Sequence, residues 1–566
     1  MLTQDTRKRI QSLAKTVPWY IVYDNINIGT HRHHQRIGNR DVFISGTTAS
    51  IVLGSSEAFE ELPTNCARNL CVADLLPTKS CERHLRAFCK YHLVDVLRRN
   101  FDEFANLSVP LPTKNRLPVK KTVISSLPTM RIDESTVHGN REVLESIVSA
   151  ALDLPEVWFE GRRILVAGDQ MSVARLRRLI ELRWDDISTF QRFDWVIPVL
   201  QLFHLQMLLA STILRTHYGD SSSPGSMSFY AHLLGRKRVN FDKADFHSLD
   251  ELLRHVFDAM AIKAWEVVLD TSDLHEYARE FSEGGRVFDV DVKADELIDK
   301  FLNAAASDDL NGTASRNSAL FMRDAIIFIE LSSAIKDGDV GRVEKVLRWI
   351  TIMFQAGSTR NYANELLHLF CGFEYKWTHE TKEAIRSSWL VNIKGQEGRW
   401  IPADLQQEHH NFTIKNMFKA RGVGNQWNGS EETISMNIQN LERVSHQLES
   451  VLDVPYSGTK HAKLSAATDI QTVYHSLVEY DIFGTEPQDN HPNLTATIPA
   501  KNLFEDGIIK LTESNRVMMF LESLGTQATA NDDDLEMEVD DDMESDRDDD
   551  IVDFGVEEHL ENMMRG

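Results

Sequence analysis

Three runs of β-branched and aromatic residues predict buried strands near the start of the chain. Residues 19–23 (WYIVY) end at Asp24, and residues 163–167 (RILVA) are followed by Gly and Asp169. Residues 41–52 form a third run, which predicts either one strand or a bent pair of strands. Runs of this length, bounded by Gly, Asn and Asp, are typical of the interior of a sheet. The first part of the chain is therefore expected to contain a sheet.

Helical periodicity dominates after Asp169. Apolar residues recur at helical spacing in segments 171–183, 195–216, 247–269, 293–305, 317–336 and 341–355, and further helices are predicted at 81–106 and 402–420. The longest apolar stretch, from Trp195 to Leu214, contains Pro198 and His204, so we interpret it as a buried helix rather than a membrane span. The sequence predicts an α/β protein that is mostly helical, in which the long helical block is either an insertion or a second, all-α domain.

The net charge of −24 is concentrated in one segment. Residues 532–566 hold 17 acidic residues against two arginines, which leaves the rest of the chain with a charge of only −9. Segment 526–566 is low in complexity and is predicted to be a disordered acidic tail that could bind basic partners such as histones. The mildly acidic body does not exclude a nucleic-acid partner. Five cysteines and no apolar leader favour a soluble protein of a reducing, intracellular compartment.

Two aspartates at the ends of predicted strands point to chemistry. Asp24 and Asp169 would each have a backbone fixed by the sheet and a carboxylate at its edge. With a third acid from a helix they would form an oxygen cage of the kind that Mg²⁺ or Mn²⁺ prefers, and two such metals support phosphoryl transfer. Glu365 is one candidate for the third acid, and Glu408 is the alternative. Either aspartate could instead simply serve a turn or cap a helix.

Basic residues near these acids are candidates for contact with phosphates. They are Arg36, in the segment HRHHQR, Arg175 and Arg178 after the second aspartate, and Lys415 two turns after Glu408. The spacing of Cys81, His84, Cys89 and His92 resembles a zinc site. One continuous helix cannot turn back to close a tetrahedral site, so we do not predict zinc there.

Several segments together resemble an uncharacterised family of mushroom-forming fungi (basidiomycetes), domain-of-unknown-function family six-five-eight-nine. They are WYIVYDNINIGTHRHHQR, VAGDQMSVARLRRL, PVLQLFHLQM and RNYANELLHL, and the resemblance extends over about residues 15–480. That family looks derived from cut-and-paste transposases with a ribonuclease H-like fold. In such transposases one acid follows the first strand, a second follows the fourth and a third lies on a late helix. The resemblance therefore implies Asp24, Asp169 and Glu365 as catalytic metal ligands.

The resemblance also implies a domain plan and a function. The ribonuclease H-like core would begin at residues 15–204, an all-α insertion would occupy 205–350, and residues 351–480 would complete the core. The expected function is a metal-dependent DNA nuclease or strand-transferase, retained, domesticated or inactive, for which the nucleus is favoured over the cytoplasm. Many of these transposases carry Cys or Asp three residues before a His, and here Gln201 precedes His204 at that spacing. The competing hypothesis is a non-enzymatic helical scaffold whose acidic tail binds basic partners.

Overall fold

The structure is a computed structural model, and most of the chain between Leu2 and Met519 is described. The described residues are 2–30, 42–54, 58–59, 72–236, 239, 245–285, 288–303, 310, 312–357, 359–420, 430–452, 466–484, 497–515 and 517–519. The segment of Arg36 and the acidic segment 526–566 both lie outside them.

A mixed sheet forms the centre of the first part of the chain. Its strands are β1 (Trp19–Thr30), β2 (Val42–Leu53), β3 (Ala58–Phe59), β4 (Val123–Ser126), β5 (Arg162–Gly168) and β6 (Val196–Leu200). β1 pairs antiparallel with β2, which pairs antiparallel with β4. On its other side β1 runs parallel to β5, which runs parallel to β6, while the two-residue β3 pairs with the start of β5. A separate hairpin joins β7 (Leu390–Val391) to β8 (Ile401–Pro402).

Helices make up most of the remainder. In chain order they are α1 (Leu2–Thr16), α2 (Val72–Leu75), α3 (Lys79–Asn100), α4 (Val137–Glu145), α5 (Gln170–Leu182), α6 (Phe203–His217), α7 (Met227–Leu233), α8 (Phe246–Leu269), α9 (Leu274–Ser282), α10 (Val290–Leu297), α11 (Thr313–Asp337), α12 (Val340–Ala356), α13 (Arg360–Cys371), α14 (His379–Ser388), α15 (Ala403–Ala420), α16 (Ser430–Leu452), α17 (Ala466–Glu479) and α18 (Leu503–Glu513). Short 3₁₀ helices lie at Asp102–Phe104 and Glu156–Phe159, and π-helical turns lie at Ser146–Ala151, Ile298–Leu302 and Gly372–Lys376. The prediction of a mostly helical α/β protein is confirmed. None of the helices in the described ranges is long and apolar enough to cross a bilayer.

Successive side chains of β1 alternate between two hydrophobic cores on opposite faces of the sheet. Tyr20 and Val22 face the larger core, which also contains α3, α6, α8, α11 and α12. Ile21 and Tyr23 point the other way, into a smaller core with α1, α4 and α5. This period of two is the pattern of a strand buried on both faces. The helical block thus packs directly on one face of the sheet.

Two predictions about local structure are wrong. The segment from Trp195 is not one helix, because its β-branched residues form β6 and the helix begins only at Phe203. Pro198 is tolerated because β6 pairs on one side only, with β5, among the described strands. The first strand does not end at Asp24 but continues to Thr30.

The second half of β1 explains the position of a late helix. Ile26 and Ile28 are buried in a third, small core with Ile414 and Phe418 of α15 and with two isoleucines of α16. α15 is therefore held against the strand that carries Asp24, although the two are separated by nearly four hundred residues in the chain. This packing places the helix beside the candidate site.

Candidate carboxylate site

Asp24 and Asp169 lie at the same edge of the sheet. Val22 of β1 is the parallel partner of Ala167 of β5, and each aspartate follows two residues later, Asp24 within β1 and Asp169 directly after the end of β5. Parallel strands in register carry equivalent residues to the same end of a sheet, where open α/β sheets bind ligands. That these two strands bring the carboxyl groups of Asp24 and Asp169 to one metal stays a prediction.

Asp169 also has a structural role. It is the N-cap of α5, and its Oδ1 accepts a hydrogen bond from the amide nitrogen of Ser172 at 2.7 Å. Capping satisfies one of the free amide groups in the first helical turn and fixes the aspartate backbone. The second carboxylate oxygen, Oδ2, is not used by this cap.

α15 delivers a third carboxyl group, that of Glu408, to Asp24. Glu408 lies close enough to act on the pKa of Asp24. Neighbouring amides hold the helix in place: Asn411 Nδ2 donates to Asp24 Oδ2 at 2.8 Å, and Gln407 Nε2 donates to Thr48 Oγ1 at 2.8 Å. Thr48 also donates to the amide oxygen of Asn411. Asn411 is therefore held between the first two strands of the sheet.

The acids at this edge raise the pKa of Asp24 well above its usual range. Burial is the largest cause, followed by the charge of Glu408, the charge of Glu134 and the hydrogen bond to Glu408; the charge of Asp169 adds to these. Like charges close together cannot all ionise without a compensating cation. Asp24, Asp169, Glu408 and Glu134 are called the carboxylate site below.

Glu134 is the member of the site that sequence reasoning missed. It precedes α4, and only 4% of it is exposed to solvent. Asn140 Nδ2 donates to its carbonyl oxygen at 2.6 Å, and the guanidinium of Arg175 donates to the same oxygen at 3.3 Å. Burial and the charge of Asp169 raise the pKa of the Glu134 carboxyl to about 8, although Arg175 opposes them. Glu134 follows no predicted strand end, so no sequence signal separated it from other loop acids.

His204 lies beside the acids of α15. Its Nδ1 is 3.2 Å from Asp404 Oδ2, and its Nε2 is 3.7 Å from Glu408 Oε1. Burial alone lowers the pKa of His204, but the hydrogen bond to Asp404 and the charges of Asp404, Glu408 and Asp169 together raise it to about 9. His204, which Gln201 precedes at the spacing where many transposases carry Cys or Asp, thus places a protonated imidazole ring next to Glu408 at neutral pH.

Glu365 is not among the acids that act on Asp24. It lies on a helix as predicted, but the guanidinium of Arg177 binds both of its carboxylate oxygens, Nη1 to Oε2 at 2.6 Å. A bidentate pair with arginine satisfies a buried carboxylate and leaves it little capacity for a metal. Of the two acids left open by the sequence, Glu408 is the one that reaches Asp24.

The predicted phosphate-binding residues are largely occupied by other partners. Arg175 bonds the Glu134 carbonyl, and Arg178 lies 3.6 Å from Glu181 in an ion pair on α5. Lys415 is half-buried on α15, and Arg36 lies outside the described residues. The helix after Asp169 therefore directs its basic side chains mainly into intramolecular contacts.

A second buried charge cluster occupies the helical block and explains the Cys/His spacing of α3. Glu330 receives hydrogen bonds from Arg342 at 2.8 and 2.7 Å, and His92 Nε2 lies 2.7 Å from the same carboxylate. His84 Nε2 lies 3.5 Å from it. Burial acts to raise the pKa of Glu330, but the bonds from Arg342 and the two histidines hold that pKa well below its usual range. These four residues are called the Glu330 cluster.

Comparison with known proteins identifies a family. A model for a family of unknown function, DUF6589, matches residues 65–461, which is more than two thirds of the chain. The chain belongs to the DUF6589 family. The matched part of this DUF6589 chain contains Glu134, Asp169 and Glu408, whereas Asp24 precedes it. No curated protein and no solved structure matches the chain.

The chemistry of the DUF6589 site suits a hard divalent cation. Its donors are carboxylate oxygens, and both Glu134 Oε2 and Asn25 Oδ1 are buried without a hydrogen-bond partner. As they stand in the described residues, no three His, Cys, Asp or Glu side chains are grouped closely enough to hold a metal ion.

Proposed function

We propose that this DUF6589 chain is a divalent-metal-dependent nuclease or strand-transferase that acts on nucleic acid, with Asp24, Asp169 and Glu408 as its metal ligands. The observation that carries the proposal is the hydrogen bond from Asn411 Nδ2 to Asp24 Oδ2, which holds α15 so that the charge of Glu408, with that of Asp169, acts on Asp24. Buried acids that face one another are characteristic of sites tuned for chemistry rather than for stability.

The order of the strands supports a ribonuclease H-like core of transposase origin. Among the strands of four or more residues, the first carries Asp24 and the fourth ends directly before Asp169. The third acid, Glu408, comes from a late helix that follows the long helical block. This is the arrangement that the resemblance implied, with Glu408 in the place first assigned to Glu365.

Each side chain has a definable part in the proposed reaction. Bound Mg²⁺ or Mn²⁺ would supply the Lewis acidity that activates a water or hydroxyl and stabilises the leaving oxygen. Asn411 holds Asp24 in position, and the helix cap fixes Asp169. Protonated His204, held by Asp404, provides a positive charge next to Glu408 for a phosphate oxygen.

Metal binding and cleavage test the proposal together. We expect Mn²⁺ at a hundred times its Kd to raise the free energy of unfolding of the full chain by about 2.7 kcal/mol, because only the folded state binds it. D24N and E408Q should lose that stabilisation and also lose Mg²⁺- or Mn²⁺-dependent cleavage of duplex DNA. E181Q is the matched control, since Glu181 lies on the surface and pairs only with Arg178 among described residues.

The outcomes separate the two functional hypotheses. Cleavage and metal stabilisation that D24N and E408Q leave unchanged would exclude this site. If the wild-type chain shows neither, the alternative of a non-enzymatic helical scaffold with an acidic, partner-binding tail is favoured. E365Q should reduce stability through the loss of the Arg177 pair but should not abolish the response to Mn²⁺.

A further inference from the structure

Five exposed cations lie on the surface formed by loop 111–121 and the β7–β8 hairpin. They are called the basic surface and are Lys114, Lys120, Lys121, Lys394 and Arg399. None of their charged groups makes an ion pair or hydrogen bond with another described residue. Loop 111–121 contains no acidic residue, and its remaining cation, Arg116, lies 3.7 Å from Asp337. Glu397 is the one acid of the hairpin segment.

Backbone contacts hold the two parts of this surface together. The amide of Thr122 donates to the carbonyl of Asn392, and the amide of Asn392 donates to the hydroxyl of Thr122, both at 2.8 Å. Gly395 has a φ of +65° and lies so close to Lys121 that an added Cβ would be 2.9 Å from the amide nitrogen of Lys121. The hairpin turn is thus fitted against the backbone of the loop.

A second set of contacts fixes the other end of the loop. The Asp339 carboxylate accepts hydrogen bonds from the amides of Lys114 and Asn115, at 2.8 and 2.9 Å. Gly338 receives a hydrogen bond from the amide of Leu117 and packs against the ring of Trp400, the neighbour of Arg399. The lysine backbones are therefore held in place while their side chains remain free in solvent.

Unpaired cations that share one surface are unfavourable in the isolated protein. Like charges repel, and the arginines beside the carboxylate site avoid this cost by pairing, as Arg177 does with Glu365 and Arg178 does with Glu181. The basic surface lacks such partners among the described residues, although the chain as a whole carries −24. A polyanion would supply the missing charge.

The position of the hairpin connects this surface to the carboxylate site. β8 leads directly into α15, so only four residues separate Arg399 from Asp404 along the chain, and Glu408 follows one turn later. We propose that the basic surface binds the phosphate backbone of nucleic acid and leads it toward the carboxylate site. The inference rests on the proposed function for the choice of nucleic acid as the polyanion.

Salt-dependent binding without metal tests this proposal separately from catalysis. The full chain would be titrated with a fluorescein-labelled DNA duplex in EDTA, between about 50 and 200 mM NaCl. Five phosphate contacts predict a slope of log K against log salt of about −4 to −5. K120Q/K121Q should make the slope less steep by about 2 and weaken binding to all duplex sequences alike.

Matched variants distinguish charge from folding. K120R/K121R keeps the charge and should bind as the wild type does, while K8Q/K79Q removes two exposed lysines elsewhere and should change nothing. An unchanged slope in K120Q/K121Q, or equal losses in the Gln and Arg variants, would overturn the proposal. Displacement of the duplex by polyglutamate at equal charge would also overturn the proposal. So would binding of the duplex only after Asp532–Asp534 were changed to Asn. Either result would mean that the surface binds an acidic peptide. Metal-free binding that persists in D24N separates this result from any failure of cleavage.

Discussion

The carboxylate site and the Glu330 cluster both hold carboxylates that are partly or fully buried, yet the charges around these carboxylates are arranged in opposite ways. In the cluster one glutamate meets an arginine and two histidines, and its pKa is lowered. In the site Asp24 meets other carboxyls, and its pKa is raised. The first arrangement is complete as it stands, whereas the second requires a proton or a cation.

This difference separates structural from functional polar groups in one molecule. A buried ion pair with good geometry has no charge left for a ligand to compensate. The two histidines of the apparent zinc pattern on α3 belong to such a group, because both contact Glu330. Acids that destabilise one another lower the stability of the protein unless an external group compensates them. The contrast can be tested by changing one member of each group.

The largest expected effect is on the Glu330 cluster. E330Q would leave the Arg342 guanidinium with Asp337, which is partly exposed, in place of its fully buried carboxylate partner, and breaking such a buried pair costs about 3–5 kcal/mol. Urea unfolding followed by circular dichroism measures this cost. E145Q, which breaks the exposed pair with Arg141, is the control and should cost at most about 1 kcal/mol. Equal losses in the two variants would contradict the assignment of a structural role to the cluster.

The pH dependence of stability should have the opposite sign in the two regions. The pKa of Glu134 is about 8 in the folded state and 4.5 in the unfolded reference. Its favourable contribution is therefore complete below about pH 4.5 and is lost as the pH rises to about 8, by up to about 1.4 kcal/mol per pH unit. The Glu330 contribution is instead lost as the pH falls below about 4.5, because its pKa is lowered.

E134Q should remove the loss of stability that deprotonation of the Glu134 carboxyl causes as the pH rises. In EDTA, the free energy of unfolding of E134Q relative to wild type should increase steadily between about pH 5 and pH 8. A difference that stays constant over this range would show that the Glu134 carboxyl does not titrate as its surroundings require. The same series on E145Q provides the baseline for a surface glutamate.

The smallest expected change in stability distinguishes the two roles of Asp169, as the N-cap of α5 and as a proposed metal ligand. D169N keeps a good N-cap for α5 and should change stability by no more than about 0.5 kcal/mol, whereas D169A should cost about 1 kcal/mol. Both variants should lose metal-dependent cleavage, since neither retains the carboxylate. A D169N protein that cleaves DNA like the wild type would reduce Asp169 to a helix cap.

The sequence predicted the parts of the fold that depend on local pattern. The runs at 19–23 and 163–167 and the helix at 402–420 were confirmed because periodicity and β-branched residues report directly on burial. The prediction of one helix from Trp195 was wrong because a short apolar strand and a buried helix have the same composition. The extension of β1 beyond Asp24 depends on Ile26 and Ile28 finding a core with α15, which is a long-range contact.

The candidate site was predicted only in part for the same reason. Asp24 and Asp169 could be paired from sequence because both follow strand patterns, and the parallel register agrees with that pairing. The choice between Glu365 and Glu408 depended on Arg177, whose interaction with Glu365 spans nearly two hundred residues. Glu134 is recognisable only by its burial and by the hydrogen bond from Asn140.

The way in which α15 is anchored has a consequence for how this protein could evolve. Gln407, Asn411 and the apolar residues at 414 and 418 hold the helix against β1 and β2, and none of them is an acid of the site. Glu408 adds only the 3.7 Å contact with His204 to this attachment. Under the proposed function, a single substitution at position 408 would therefore remove the catalytic activity and leave the fold and its surfaces intact, so that an active enzyme and a non-catalytic descendant would differ by one residue.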